Sequence, residues 1–150
     1  MEANAKKILD RLENQCSKRE YCTRDVRQKA LKALEGDAAA ADEIVASLVN
    51  DRYVDNLRYA TAFAREKASL TGWGPVKIRF ALRAKGIRET DISAALEEVD
   101  SDKADERLRR LIEVKAKSLE GDPQLRLKLI KFALSRGYDY DDIKDHISLY

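Results

Sequence analysis

A single histidine, His146, and two cysteines, Cys16 and Cys22, are all the imidazole and thiolate that the chain offers to a transition metal. The cysteines lie six residues apart with no CxxC pairing, so no zinc site assembles at the usual ligand spacing. They read as two free thiols of a reducing compartment. Long apolar runs are missing as well. None approaches the roughly 20 residues of a membrane span. The opening Met1-Glu2-Ala3-Asn4 leads into Lys6-Lys7-Ile8-Leu9, which lacks the apolar core of a signal peptide. A soluble, cytoplasmic protein is expected. There is no P-loop, no GxSxG and no HExxH, and the carboxylates show no acid/base pairing. The expectation is therefore a non-enzymatic chain with neither cofactor nor metal.

Nor does one sign of charge dominate. The 29 Lys and Arg against 27 Asp and Glu leave a net charge of +2, although charged residues make up 37% of the chain, well above the roughly 25% of an average protein. With so many charges and so little net charge, their placement carries the information.

What is abundant is helical spacing. The only two prolines, Pro75 and Pro123, each follow a turn residue and precede an apolar pattern of helical period; both are expected at a first helical position, where a missing N–H does no harm. Gly36, Gly86 and Gly137 each follow a charged residue at the end of such a pattern, 50 and 51 residues apart. Glycine there supplies the left-handed conformation that closes a helix, and the near-constant interval is a repeat signal. After each glycine comes a pair four apart, Ile44/Leu48, Ile92/Leu96 and Ile143/Ile147, on one face of a short helix. The fold class expected is all-α: three tandem three-helix repeats over 1–50, 51–100 and 101–150. Helices are placed at 4–16, 24–35, 38–49, 56–70, 75–85, 89–99, 102–118, 123–136 and 140–148. Asp55, Ser101, Asp122 and Asp139 are the expected N-caps. Three such helices bury too little surface to be stable alone, so the repeats should stack.

The most informative stretch runs from Asp51 to Ile87. Between Glu66 and Glu89 lie six basic residues, Lys67, Lys77, Arg79, Arg83, Lys85 and Arg88, and no acidic one. Arg79 and Arg83, four apart, offer adjacent guanidinium groups to phosphates or carboxylates. On the same helix Ile78, Ala81 and Leu82 form a core stripe. Val76, Phe80 and Ala84 form a second, read as packed between neighbouring helices, the alternative being a surface open to a partner. On the preceding helix Tyr59, Ala60, Phe63 and Leu70 face one way, and Arg58 and Arg65 the other. Trp73, between two glycines, is placed over a helix end. The last repeat repeats the charge pattern, with Arg126, Lys128, Lys131 and Arg136 between Pro123 and Tyr138 and then Asp139, Asp141, Asp142 and Asp145. The surface expected to meet a partner is Arg58, Arg65, Lys77, Arg79, Arg83 and Lys85, with Lys128 and Lys131, and with Trp73, Val76 and Phe80 as apolar contacts.

At this point the residues resemble a known family. Asp55, Arg58-Tyr59-Ala60, Arg65, Gly72-Trp73-Gly74-Pro75, Ile78, Leu82 and Lys85-Gly86-Ile87 look like the central motif of RecX proteins, and KLIKFALSRGYDYDDIKDHI resembles that family's last repeat. The resemblance implies an elongated, curved stack of helical repeats. It also implies docking into the groove of the RecA–DNA filament as a monomer, with inhibition of ATP hydrolysis, strand exchange and co-protease function. Homologous recombination, DNA repair and the SOS response would be its setting. Direct binding of single- or double-stranded DNA, through basic helices of helix-turn-helix type, and an adaptor role for another protein are the alternatives.

Thiol titration of the unfolded, unreduced protein is expected to count two sulfhydryls. A count of zero would refute the reading of Cys16 and Cys22 as unpaired.

Overall fold

A computed structural model describes residues 1–150 and contains nine α-helices and no strand. They are α1 (Ala3–Lys18), α2 (Thr23–Ala33), α3 (Ala38–Asn50), α4 (Asn56–Glu66), α5 (Pro75–Ala84), α6 (Glu89–Glu97), α7 (Ser101–Ser118), α8 (Leu125–Ser135) and α9 (Tyr140–Ile147); a π turn, Lys67–Thr71, prolongs α4. Apolar residues three or four apart make each helix one-sided. In α1 the buried stripe is Ala5, Ile8, Leu12 and Cys16, and in α7 it is Leu108, Ile112 and Ala116. The stripe of α4 is alanine throughout, Ala60, Ala64 and then Ala68 in the π turn. So small a ridge suits close approach of α6, and α4 with α6 forms the most extensive helix pair of the molecule.

The core is divided into three clusters, one under α1–α3, one under α4–α6 and one under α7–α9. Two residues cross these groupings: Cys22, just before α2, is buried in the second cluster, and Val54, just before α4, closes the first. Dividing the core keeps it small. Only 29 of 150 residues are buried, and the accessible surface is 9447 Å², against roughly 7,700 Å² for a compact monomer of this mass. The excess is the signature of an extended arrangement. No helix is long and apolar enough to cross a membrane.

The caps follow the sequence closely, with exceptions. Gly36, Gly86 and Gly137 lie just past helix ends with φ of +89°, +78° and +89°. Asp55 accepts from the Arg58 amide at 3.0 Å and Asp139 from that of Asp141 at 3.0 Å. Ser101 is the first helical residue rather than the cap; Asp100 caps α7, accepting from the amides of Asp102 and Lys103. Pro123 stands in a turn ahead of α8, because Asp122 spends its side chain on the Gln124 amide and delays the helix to Leu125. The π turn corrects a further expectation. Its extra residue rotates the register, so Leu70, placed with the core face of α4, is 81% exposed.

The groups are joined by polar contacts at helix ends. Between the first and second, Asn56 and Thr23 exchange two hydrogen bonds, 2.9 and 3.1 Å. Arg24 donates to the Ala84 carbonyl at the C-terminus of α5, and Lys85 pairs with Asp25 at 3.0 Å. Between the second and third, the start of α5 meets the end of α8. The Gly74 amide donates to the Arg136 carbonyl at 2.8 Å and the Val76 amide to the Gly137 carbonyl at 2.9 Å. Two orphan amides of a helix N-terminus thus take carbonyls at another helix's C-terminus. The Tyr138 hydroxyl adds a bond to the Gly72 carbonyl at 3.2 Å. Gly74 and Gly137 are buried here, the only buried residues without an apolar side chain.

Gly74 has an ordinary backbone conformation, φ −80°, so its requirement for glycine is purely steric. A Cβ there would lie 2.5 Å from the Gly137 carbonyl carbon. Gly36 has the opposite problem: nothing lies within 4 Å, but φ is +89°. Gly74→Ala is expected to destabilise by about 1–3 kcal/mol through overpacking. It should also red-shift the emission of Trp73, the only tryptophan. Gly36→Ala should cost about 1–2 kcal/mol through its left-handed backbone and leave the emission unchanged. Equal emission spectra for the two variants would refute the steric role of Gly74.

Candidate interaction surface

Helix α5 is held at both ends by its neighbours: carbonyls at the close of α8 take its first amides and Arg24 binds its last carbonyl, that of Ala84. Ile78 and Leu82 are buried beneath it. Its outer face is open. Val76 is 53% exposed and Phe80 73%, so the second apolar stripe is not packed between helices as expected from the sequence. A phenylalanine this exposed, on a helix fixed at each end, stands at the surface in a fixed position.

The charges beside it are engaged. Arg79 reaches Glu89 at 2.7 Å, and Arg83 binds the other oxygen of the same carboxylate. The Arg83 guanidinium foremost, then that of Arg79, hold the Glu89 carboxyl below the ordinary carboxylate range. Glu89, which in the sequence only bounds the basic window, is thus the residue that holds two of its arginines together. The three side chains are roughly one-third to three-fifths exposed, so these bonds compete with water and are readily exchanged for others.

The remaining basic residues do not converge on one face. Arg58 donates to Glu20 at 2.6 Å and to the carbonyls of Arg52 and Tyr53, which makes it a clamp of the first joint. Lys85 sits in the same joint, where the hydrogen bond to Asp25 raises its pKa. Arg65 bridges α4 to Glu98 at 3.2 Å. Lys128 binds Asp122 at 2.5 Å before α8. Lys77 lies over the Trp73 ring at 4.6 Å, and Lys67 over the same ring at 4.9 Å. Trp73 also meets Phe63 edge-on at 6.2 Å, so its ring is occupied by the protein itself. Lys131 is exposed and makes no ion pair. The structure therefore gathers Arg79 and Arg83 with Val76 and Phe80, and disperses Arg58, Arg65, Lys85, Lys128 and Lys131. Both cysteines are buried, in different core clusters, and burial pushes their thiols up.

Comparison with known proteins follows the same division of the chain. A family model described as RecX, second three-helix domain, matches residues 55–96, and one described as RecX, third three-helix domain, matches residues 103–147. The regulatory protein RecX of Bacillus mycoides (strain KBAB4) is 33% identical over 116 residues, 76% of this chain and 43% of that protein. That of Bacillus thuringiensis (strain Al Hakam) is 32% identical over the same extent. The matched part is thus less than half the length of these relatives. Two crystal structures share the fold. RecX from Lactobacillus salivarius superposes with a TM-score of 0.84 at 22% identity, covering 97% of this chain and 95% of that one. A second regulatory protein RecX gives 0.83 at 24% identity, covering 95% and 72%.

Releasing Arg79 and Arg83 should strengthen binding to any polyanion. Glu89→Gln is expected to elute from heparin at higher salt than the parent. Acid should act in the same direction: the depressed carboxyl keeps its pairs above the ordinary carboxylate range and loses them as pH falls through its lowered value. Identical elution of parent and variant would refute the restraining role of Glu89.

Proposed function

The chain belongs to the RecX family, and on that premise we propose that it is a cytoplasmic regulatory protein that binds the RecA–DNA filament and inhibits ATP hydrolysis, strand exchange and co-protease function. The observation that carries the reading is the outer face of α5, an exposed Phe80 and Val76 beside the exchangeable Arg79–Glu89–Arg83 cluster.

The energetics assign different roles to its parts. Fully burying a phenylalanine contributes roughly 1.5–3 kcal/mol, whereas an exposed ion pair is worth about 0–1 kcal/mol. Phe80 is accordingly the anchor. Arg79 and Arg83 exchange Glu89 for carboxylates or phosphates of the filament at little net cost, and so set orientation and association rate more than affinity. A regulator needs no catalytic group for this; occupying the filament surface prevents the rearrangements that hydrolysis and strand exchange require.

Direct DNA binding is the competing reading. Binding that rests on phosphates weakens steeply with salt, whereas docking anchored by Phe80 persists and requires RecA with nucleotide.

The test is RecA ATP hydrolysis on single-stranded DNA with added protein. Phe80→Ser is expected to raise the concentration for half-inhibition by about ten- to a hundredfold. Arg79→Gln with Arg83→Gln should have a smaller effect, seen mainly as slower onset. Neutral glutamines are preferable to glutamates, which would crowd new carboxylates against Glu89. Both variants should keep the parent's helical content and melting temperature. If both inhibit like the parent, the α5 face is not the contact.

A further inference from the structure

A second surface is lined by no residue of α5; there the π turn faces α7 and α8 across a groove of about 490 Å³. Its charge is of one sign. Arg107, Arg110, Lys115 and Arg136 line it, and no acidic residue does. Their neutralisation within the protein is incomplete. The Arg107 Nε is buried and finds no acceptor. Arg110 reaches Glu106 only at 3.2 Å, on a carboxylate that Arg109 already holds through both oxygens. Lys115 and Arg136 make no ion pair; each lies over the Phe132 ring at 5.2 Å.

The groove also presents aliphatic side chains that nothing covers. Leu70, turned outward by the π turn, is 81% exposed, and Val114 on α7 is 68% exposed. Leu70 and Val114 share one groove with cations whose compensation is incomplete, a lining that suits a binding surface. Their type separates the two classes of anionic partner. A nucleic acid would use cations for phosphates and aromatic faces for bases, but Phe132 already carries Lys115 and Arg136, and leucine and valine offer no stacking platform. A peptide with carboxylates beside aliphatic residues satisfies both halves of the lining.

The geometry points to a docking site for an acidic amphipathic segment of a partner protein, its carboxylates on Arg107, Arg110, Lys115 and Arg136 and its aliphatic side chains against Leu70 and Val114. Such a segment lays an apolar helix face into the groove. Because this site is separate from the α5 face and is defined by chemistry alone, it does not rest on RecA being the partner.

The experiment uses the full chain and a fluorescein-labelled model peptide in which paired glutamates alternate with paired leucines at helical spacing, followed by anisotropy. A peptide with lysine in place of glutamate and a labelled oligothymidylate are run beside it. The glutamate–leucine peptide is expected to bind saturably and the lysine peptide not at all. Arg110→Glu with Lys115→Glu, and separately Leu70→Ser with Val114→Ser, should each weaken binding tenfold or more. Circular dichroism should show unchanged helix content, since none of the four side chains is buried. Absence of saturable binding, or binding indifferent to either double variant, overturns the proposal. So does a result in which the charge reversal weakens only oligothymidylate and the serine variant weakens nothing, because that is the behaviour of a phosphate channel.

Discussion

The end-on junction of α8 with α5 is the contact on which the rest of the arrangement depends. Carbonyls at the close of α8 accept from the first amides of α5, so groups that each helix would otherwise leave orphaned satisfy one another. The junction forms only if two backbones approach within hydrogen-bonding distance while turning, and that requires glycine on both sides. Gly74 makes room; Gly137 makes room and also adopts a conformation that other residues resist. Pro75, with no amide to satisfy, begins the helix between the two bonded amides.

Because the other end of α5 is tied by Arg24 and by the Lys85–Asp25 pair, this helix belongs mechanically to all three groups. Its inner face is committed to the core and its ends to its neighbours, leaving an outer face with a fixed orientation. On the proposed reading that rigidity favours recognition, since a preorganised anchor avoids the ordering cost that a mobile one incurs on binding. The three small cores, none of which buries a polar side chain, supply local stability; the joints supply relative placement.

Electrostatics act on this frame as a set of exchangeable pairs. Six of the eight predicted contact cations already have a carboxylate, and two of these pairs, Arg58 with Glu20 and Lys85 with Asp25, cross from the second group to the first. Those two hold the first joint together, and a partner that competed for them would loosen it. The Arg79–Glu89–Arg83 cluster is different, because it lies within one group beside an open apolar face and its exchange disturbs no joint. The cations around the π turn differ again: Arg107, Lys115 and Arg136 have no carboxylate, and Arg110 shares Glu106 with Arg109.

Helix content, the three repeating glycines and the core stripes were legible in the sequence because they are local. Period 3.6 selects the helix, glycine closes it, and a short oxygen-bearing side chain such as Asp55 opens it. The basic window was legible for the same reason, as a segregation of charge along the chain. What the sequence could not decide is which of those cations are free, since Glu20, Asp25 and Glu98 lie 38, 60 and 33 residues from the arginines and lysine they neutralise. The fate of Phe80 was equally undetermined: an apolar stripe reads the same whether a helix covers it or water does. The π turn that exposes Leu70 left no mark in composition, and the groove cations of α7 were hidden among acidic residues of that same helix, such as Glu106 and Glu113. Tertiary structure decided these points because burial and ion pairing are properties of neighbours in space, and those neighbours are set by how the helices pack within each group and by the joints between groups, at Gly74–Gly137 and Arg24–Ala84 among others.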